Sequence, residues 1–376
     1  MGVNPLVGVI YHWIGGLASA SNFIPFRPIK RWSFEIYWII QGFAAWIVAP
    51  IIIGHIFVPD VLTVLRVTPV STLWHTMFWG AMWGVGGLTF GLAVRYLGIA
   101  LGYAIALGFC TAFGTLMPPI FNGQIFSILR QTGGRVILLG VAICVLAIAV
   151  NGLAGYSKEK EVPAEERAAI GERDFSFGKG LGVAIFAGIM SSCFAYGLNA
   201  GKGIALIARQ HLLAHGGSEL WQNLPLLIVV LIGGFATNLL WSIILIVRNH
   251  SAAEFLGAPG VNPEQAAPVD ETADLSERLT PAILVSNYAL ASLAGVLWYF
   301  QFFFYSMGQT KMGKYDFSSW TLHMASIIVF ATLWGLVLHE WRDTSRRTKL
   351  LMALGLFLLV GSTVVVGWGN YLESLA

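Results

Sequence analysis

Ten apolar stretches follow one another along the chain, separated by polar connections. Each is about 20 residues long, which is the length a helix needs to cross a hydrocarbon core of about 30 Å. The apolar runs are continuous and show no alternation of period two, so they predict helices and not outer-membrane strands. The predicted spans are residues 5–24, 34–57, 72–94, 97–120, 136–153, 180–198, 224–247, 282–308, 318–338 and 350–372.

Two longer hydrophilic connections organise these spans. Residues 157–176 are rich in charge, and the loop 249–280 is rich in Ala, Pro and acids, which favours flexible loops. The first connection separates five predicted helices in residues 1–156 from five in residues 177–376. Because five is odd, the second half must be inverted relative to the first. We therefore predict an all-α integral membrane protein with ten transmembrane helices as two inverted repeats of five, which is typical of transporters.

A short internal similarity supports the repeat. The run Gly80-Ala81-Met82-Trp83 precedes Gly98 by the same spacing with which Gly295-Val296-Leu297-Trp298 precedes Gly313. In transporters built this way, the substrate site lies at the repeat interface near the middle of the membrane. The similarity therefore indicates where to look for binding residues.

Composition narrows the class of protein. The chain has 376 residues, of which 56% are hydrophobic and 11% charged, with a mean hydropathy of +0.72; soluble domains carry about 25% charged residues. The net charge is only +3 and no large basic cluster is present, so no nucleic-acid partner is expected. The N-terminus lacks a basic segment, which favours a retained membrane helix over a cleaved signal peptide.

The distribution of Lys and Arg predicts orientation. If the N-terminus is outside, most basic residues fall in inside connections, among them Lys30, Arg31, Arg346 and Arg347. The positive-inside rule then places both termini outside an inner (plasma) membrane that the chain crosses several times.

Signatures of enzymes and bound cofactors are missing from the sequence. His339-Glu340 has no second histidine four residues on, and no phosphate-binding loop of the Walker type occurs. The three cysteines lie within apolar spans and are predicted to be small buried hydrophobes. We therefore predict no enzyme activity, no cofactor and no metal site; transport would be driven by an ion gradient or by no energy source.

Polar side chains inside the spans are the candidate functional residues, because such groups are costly in lipid. Trp298, Gln301 and Tyr305 share one helix face. Aromatic faces around one amide suit a sugar, whose C–H groups pack on rings while its hydroxyls need directional partners. The alternative is an aromatic packing face on which Gln301 forms an interhelical hydrogen bond.

The ninth span carries Asp316, Trp320 and His323, again on one face. Asp316 is either the N-cap of this helix or a proton carrier. His323 either exchanges a proton near neutral pH or is a hydrogen-bonded structural residue.

Three further candidates lie elsewhere. His12 shares a face with Gly15, Gly16 and Ser19, where small residues allow close approach. Glu35 either forms a surface ion pair or, facing a cavity, is a proton site. Asn199 can bond a hydroxyl. The predicted substrate-binding residues are Gln301, Tyr305, Trp298, Trp320, Asn199 and His12, and the predicted proton-coupling residues are Asp316, His323 and Glu35.

Several motifs carry a resemblance to one family. They are Gly80-Ala81-Met82-Trp83-Gly84, Arg95-Tyr96-Leu97-Gly98, Gly114-Thr115-Leu116-Met117, Gln301-Phe302-Phe303-Phe304-Tyr305 and Leu322-His323-Met324. On these residues the chain resembles the bacterial L-rhamnose–proton symporter family of the drug/metabolite transporter superfamily. The resemblance implies ten helices in two inverted repeats. It also implies import of L-rhamnose or a related deoxy sugar across the inner membrane, coupled to protons.

Two other functions remain open. The same scaffold could export drugs or carry another small metabolite, although a cation exporter needs a carboxylate in its first helix and this chain has His12 there. An intramembrane enzyme or receptor is the second alternative. An enzyme needs a paired nucleophile and base at depth, and the sequence indicates none.

Overall fold

The fold is a bundle of long helices in a computed structural model, which describes residues 3–97, 99–161, 177–258 and 278–375. The α-helices are α1 (Pro5–Ser21), α2 (Phe34–Phe57), α3 (Val61–Val67), α4 (Val70–Leu97), α5 (Ile99–Phe121), α6 (Ile125–Arg130), α7 (Thr132–Glu161), α8 (Phe177–Ala200), α9 (Lys202–Ala214), α10 (Leu224–Asn249), α11 (Pro281–Gln309), α12 (Ser319–Val337) and α13 (Arg346–Ser374). Short 3₁₀ turns, such as Ser251–Leu256 and Gly313–Ser318, join some of them.

Nine of the described helices are long and apolar enough to cross a membrane, namely α2, α4, α5, α7, α8, α10, α11, α12 and α13. This confirms a multi-pass, all-helical membrane protein. The tenth predicted span corresponds to α1, which has 17 residues. Asn4 caps α1 by accepting a hydrogen bond from the Val7 N–H at 3.3 Å, so the helix begins at its Pro5. A crossing by α1 stays a prediction.

The ends of two helices differ from the predicted spans. Helix α7 continues to Glu161, so part of the predicted linker 157–176 is helical; α13 begins at Arg346 instead of residue 350. The cause is a polar contact between the two helix ends, in which the N–H and Oγ of Ser345 each donate to the Glu161 carboxylate at 2.6 Å. The rest of that linker and most of the loop 249–280 lie outside the described residues.

Helix α2 changes its winding in the middle. Residues Ala44–Val48 form a π-helical turn, and Pro50 follows. Proline has no N–H for the carbonyl four residues before it, and a π turn is one way to accommodate that loss. The turn places Trp46 in the centre of the bundle, where it is 2% exposed.

Glycines allow the central helices to touch. The carbonyl of Val230 in α10 lies directly against Gly80 of α4, and the carbonyl of Gln41 in α2 lies directly against Gly295 of α11. Packing through small residues is the usual way in which membrane helices approach closely. The main packed pairs are α1 with α11 and α12, α4 with α8 and α10, α5 with α7 and α8, α2 with α11, and α13 with α7 and α12.

Helices α7 and α13 run antiparallel and cap each other at both ends. Glu161 at the end of α7 bonds Ser345 at the start of α13, and Glu373 at the end of α13 accepts from the Gly133 N–H at 3.0 Å. Between these ends, Gly140 packs on Val366 and Gly355 packs on Asn151. The pair is therefore fixed in register along its length.

The two ends of the bundle are named by one residue each. At the Asn4 end, the Asn4 N–H donates to the Lys311 carbonyl at 3.1 Å, and Lys202 pairs with Asp316. At the Glu35 end, the start of α2 contacts the segment after α10.

Candidate functional site

A narrow cleft enters the bundle at the Asn4 end, between α5, α8, α11 and α12. Its volume is about 30 Å³, which is room for about two water molecules. The cleft is therefore too small for a sugar, and the bundle is closed around it. It is lined by Gly114, Pro118, Ala195, Leu198, Asn199, Lys202, Tyr305, Gln309, Asp316, Phe317 and Trp320.

Aromatic rings from three helices meet below this cleft. The Tyr305 ring lies 5.2 Å from His12, 5.2 Å from His323 and 5.9 Å from Trp320, between ring centroids. The indole N–H of Trp320 donates to the Cys110 carbonyl at 3.1 Å, so Trp320 presents only its ring face. The predicted residues His12, Tyr305, Trp320 and His323 therefore form one cluster.

Gln301 joins this cluster from the same helix as Tyr305. Its Oε1 accepts a hydrogen bond from the Ser19 hydroxyl of α1 at 2.9 Å, while its Nε2 has no partner among the described residues. The ring nitrogens of His12 and His323 are likewise buried without a described partner. Leaving a buried polar group unpaired costs about 1–3 kcal/mol. The cluster therefore offers several unused donors and acceptors.

Asp316 and Asn199 lie at the mouth of the cleft. Asp316 forms an ion pair with Lys202 at 3.3 Å, and Asn199 accepts from the Asn122 amide at 3.2 Å. The interpretation of Asp316 as an N-cap is wrong, because the residue that precedes α12 is Ser318 and Asp316 belongs to the preceding 3₁₀ turn. The ion pair instead ties the start of α9 to this turn across the mouth.

Trp298 does not line the cleft. Its ring stacks on Trp83 at 5.6 Å and lies edge-on to Trp46 at 5.3 Å, deeper in the bundle. A chain of rings connects it to the cluster through Phe302, which stacks on Phe194 at 4.1 Å. Trp298 therefore belongs to the aromatic packing around the site.

Glu35 lies at the opposite end of the bundle, where it is 3% exposed. Its Oε1 accepts from the Asn249 amide at 2.9 Å and the Ser251 hydroxyl at 2.8 Å. It is buried and hydrogen-bonded, which does not fit the surface ion pair. Its distance from the cleft also means that the structure does not group it with the other proton-coupling candidates.

A second buried carboxylate, Glu254, accompanies Glu35. The N–H and hydroxyl of Ser33 donate to Glu254 at 2.6 and 2.5 Å, and the Trp32 indole donates to its carbonyl at 3.0 Å. Burial raises the pKa of Glu254, and the nearby charge of Glu35 raises it further, against the hydrogen bonds from Ser33. These contacts close the Glu35 end.

Sequence reasoning missed Glu254 and the cleft residue Gln309. Glu254 stands in a polar loop segment, and nothing in its neighbours marks it as buried. Gln309 lies past the last aromatic residue of α11, where a helix end is normally solvated. A signal for Gln309 was its position one helical turn after Tyr305 on the same face.

The cysteines are buried and unpaired, as predicted. Within the described ranges, no group of three or more His, Cys, Asp or Glu side chains is placed to hold a metal ion.

Comparison with known proteins gives a consistent result. The family described as L-rhamnose-proton symport protein matches residues 1–371. An L-rhamnose-proton symporter of Klebsiella pneumoniae (strain 342) is 35% identical over 367 residues, which is 96% of this chain and 97% of the relative. A protein of the same name from Salmonella gallinarum is 32% identical over 364 residues, with the same coverage of both chains.

Proposed function

The chain belongs to the L-rhamnose-proton symport protein family, and from this membership we propose that it imports L-rhamnose together with a proton across the bacterial inner membrane. A member of this family is a transporter and not an enzyme. The match along almost the whole chain is the observation that carries the proposal, and it does not favour a drug exporter on the same scaffold.

The cluster below the cleft is the proposed sugar site. Tyr305 and Trp320 offer ring faces for the C–H groups of a pyranose, while Gln301 offers a free amide donor. His12 supplies ring nitrogens without a described partner, and Asn199 supplies an amide at the mouth. Trp298 acts indirectly, by packing against Phe302 beneath the cluster.

Proton coupling is proposed for Asp316 and His323, with Glu35 acting at the other end. Asp316 faces the cleft through its ion pair with Lys202, so its protonation would release Lys202 and open the mouth. His323 lies in ring contact with Tyr305, within the proposed sugar site. A sugar affinity that depends on protonation implies, by linkage, a proton affinity that depends on sugar.

We propose that the two halves are inverted repeats that rock against each other. In this arrangement α1, α2 and α4 of the first half correspond to α8, α10 and α11 of the second. The packed pair α4–α8 then corresponds to the pair α11–α1, and α4–α10 corresponds to α11–α2. In all four pairs the two helices are packed against each other. The matched residues Gly80 and Gly295 each meet a helix carbonyl, and Trp83 stacks on its counterpart Trp298. The Asn4 end would face outside, in agreement with the basic residues at the Glu35 end.

The size of the driving force fits a scavenger of dilute sugar. One charge crossing about 100 mV supplies roughly 2.3 kcal/mol. Because about 1.4 kcal/mol corresponds to a tenfold ratio, one proton sustains on the order of a 50-fold sugar gradient.

Uptake of labelled L-rhamnose into proteoliposomes tests the proposal directly. We expect uptake above that of empty vesicles and a strong increase when an inward proton gradient is imposed. Uptake that equals empty vesicles, or that ignores the gradient, would overturn it.

A further inference from the structure

A second pocket opens at the Asn4 end, beside the central cleft. Its volume is about 210 Å³, and it lies between α9, the turn that precedes α10 and the residues that follow α11. Its lining includes Leu206, Arg209, Glu219, Gln222, Thr310 and Lys311. Unlike the cleft, this pocket has room for a small molecule without any movement of the helices.

The strongest indication of a ligand is the Lys311 side chain. Lys311 is only 6% exposed, and although no described residue forms a hydrogen bond or ion pair with its ammonium, its charge acts on the nearby Glu219 carboxylate. An ammonium has three donors, and this one lines the pocket, where a ligand can accept from it. The pocket therefore presents a positive group that a ligand with oxygen acceptors would satisfy.

The other polar groups indicate which kind of ligand fits. The Arg209 Nε donates to the Glu219 carboxylate at 3.1 Å, which leaves further donors on Arg209 and acceptors on Glu219. Gln222 adds one donor and one acceptor group. A mixed set of donors and acceptors of this kind matches a neutral ligand with several hydroxyls, because each hydroxyl both donates and accepts.

The pocket and the cleft share two walls. Lys202, Leu206 and Arg209 lie on one face of α9. Lys202 lines the cleft, whereas Leu206 and Arg209 line the pocket. On the opposite wall, Gln309 lines the cleft, and the next two residues line the pocket. A molecule in the pocket therefore lies next to the mouth that Lys202 and Asp316 close.

We propose that this pocket is an outer binding site for a monosaccharide, which holds the sugar before the central cleft opens. The inference rests on the proposed function, because it takes the transported sugar as the ligand. Lys311 and Arg209 donate to the sugar hydroxyls, and Glu219 accepts from them.

Equilibrium dialysis of radiolabelled L-rhamnose against the full chain in lipid nanodiscs tests the outer site. We expect two bound sugars per wild-type chain and one in Lys311→Met. The matched control is Lys314→Met, because Lys314 is exposed and bonds Gln131 outside the pocket, so two bound sugars are expected there. Gln301→Ala should weaken binding at the central site, which Lys311→Met retains, and leave the outer site unchanged.

Leu206→Trp tests the site without changing a buried charge. Leu206 is exposed on α9, and a tryptophan there would fill the pocket, so binding should fall to one sugar per chain. Leu213→Trp is its control on the same helix, outside the pocket, and should still bind two. If Lys311→Met and Leu206→Trp both bind like wild type, the outer site is overturned while the proposed function stands. If wild type neither binds nor transports L-rhamnose, the proposed function fails and the outer site with it.

Discussion

Among single residues, Gln301 is the one whose loss should weaken sugar binding most directly. Its Nε2 is buried and free among described residues, while its Oε1 is held by Ser19. Gln301→Ala removes both atoms, and the loss of one or two hydrogen bonds to a ligand costs about 1–3 kcal/mol. We expect a rise in the Kd for L-rhamnose of about tenfold or more, measured by titration calorimetry.

The control for this change is Asn238→Ala, another buried amide. Asn238 bonds the Trp38 indole and the Gly234 carbonyl, away from the cleft. Its replacement should leave the Kd for sugar within a factor of about two. Equal weakening by the two variants would mean that Gln301 acts only through helix packing.

Asp316 makes a different contribution, which concerns coupling. Asp316→Asn removes the titratable charge while keeping the size of the side chain. Proton-driven uptake in proteoliposomes should fall at least tenfold, whereas exchange of labelled for unlabelled sugar at equal pH should continue. Asp60→Asn changes an exposed carboxylate at the same end and should leave both proton-driven uptake and exchange at the wild-type level. A variant Asp316→Asn with the pH dependence of wild type would reduce Asp316 to a structural partner of Lys202.

Glu254 should affect stability through pH. Its pKa is raised above the usual 4.5 by burial and by Glu35, so the native state binds this proton more tightly than the unfolded chain does. The stabilisation is complete below the usual pKa and is lost as pH rises through the raised pKa. We expect the apparent Tm in detergent to fall as pH rises through that window, and Glu254→Gln to flatten this fall.

Glu161→Gln is the matched control for Glu254. Glu161 accepts the same two bonds from a serine that precedes a helix, but it is exposed. The fall of Tm above pH 4.5 should persist in this variant. A fall that persists equally in Glu254→Gln would assign the pH dependence to other groups.

The sequence predicted which residues share a helix face, and much of the cluster followed from that. His12, Tyr305, Trp320 and His323 do meet, because each lies on the polar face of a helix near one end. The sequence could not show which helix faces which, so it did not separate Trp298 from the cleft. Nor could it place Glu35 beside Glu254, which lies more than two hundred residues away in the chain.

At the level of the helices, α1 depends on close contact with α12. Gly16 lies directly against Ser326, whose hydroxyl donates to the His12 carbonyl at 2.9 Å. Gly16→Ala forces the helices apart, and overpacking of this kind costs about 1–3 kcal/mol. We expect a lower Tm and loss of most uptake. Gly361→Ala, where nothing lies within 4 Å, should keep both at the wild-type level; equal losses in the two variants would contradict the contact.

Helix positions were predicted well and helix ends less well. The thickness of the bilayer fixes the length of an apolar span, so hydropathy locates the long helices. Hydropathy does not report polar contacts such as the one between Glu161 and Ser345. This contact lets α7 continue further, and α13 begin earlier, than the apolar spans predict. It also passes over α3, α6 and α9, because none of them is a long apolar run.

For the whole molecule, alternating access predicts that the Glu35 end opens when sugar and proton bind. Ala291 is fully buried there, packed with Trp32 and Ile36. In a chain whose native cysteines are replaced, Ala291→Cys should resist a water-soluble thiol reagent alone. At acidic pH with L-rhamnose it should react at least tenfold faster.

Ala147→Cys provides the comparison. Ala147 is equally buried but packs between α7, α12 and α13, so its reactivity should stay low under both conditions. Unchanged protection of Ala291→Cys with sugar and proton would contradict opening at this end.

The all-helical, multi-pass character of the chain was accessible from hydropathy alone, whereas the inversion of its two halves stays a prediction. An odd number of predicted spans in each half indicates inversion, whatever the residues are. The closed state was not accessible, because it depends on the 3.3 Å ion pair of Lys202 with Asp316 at one end and on Ser33 with Glu254 at the other. Such contacts join residues far apart in the chain.

The mutual capping of α7 and α13 limits how the protein can move. If one of these helices slid along the other, the hydrogen bonds of Glu161 and Glu373 would break together, one at each face of the membrane. The two helices therefore move as one rigid pair, and any rocking motion has to occur in the helices that surround the cleft. Damage to the last few residues of the chain would consequently be felt at the start of α7, on the same side of the membrane but in the other half of the sequence.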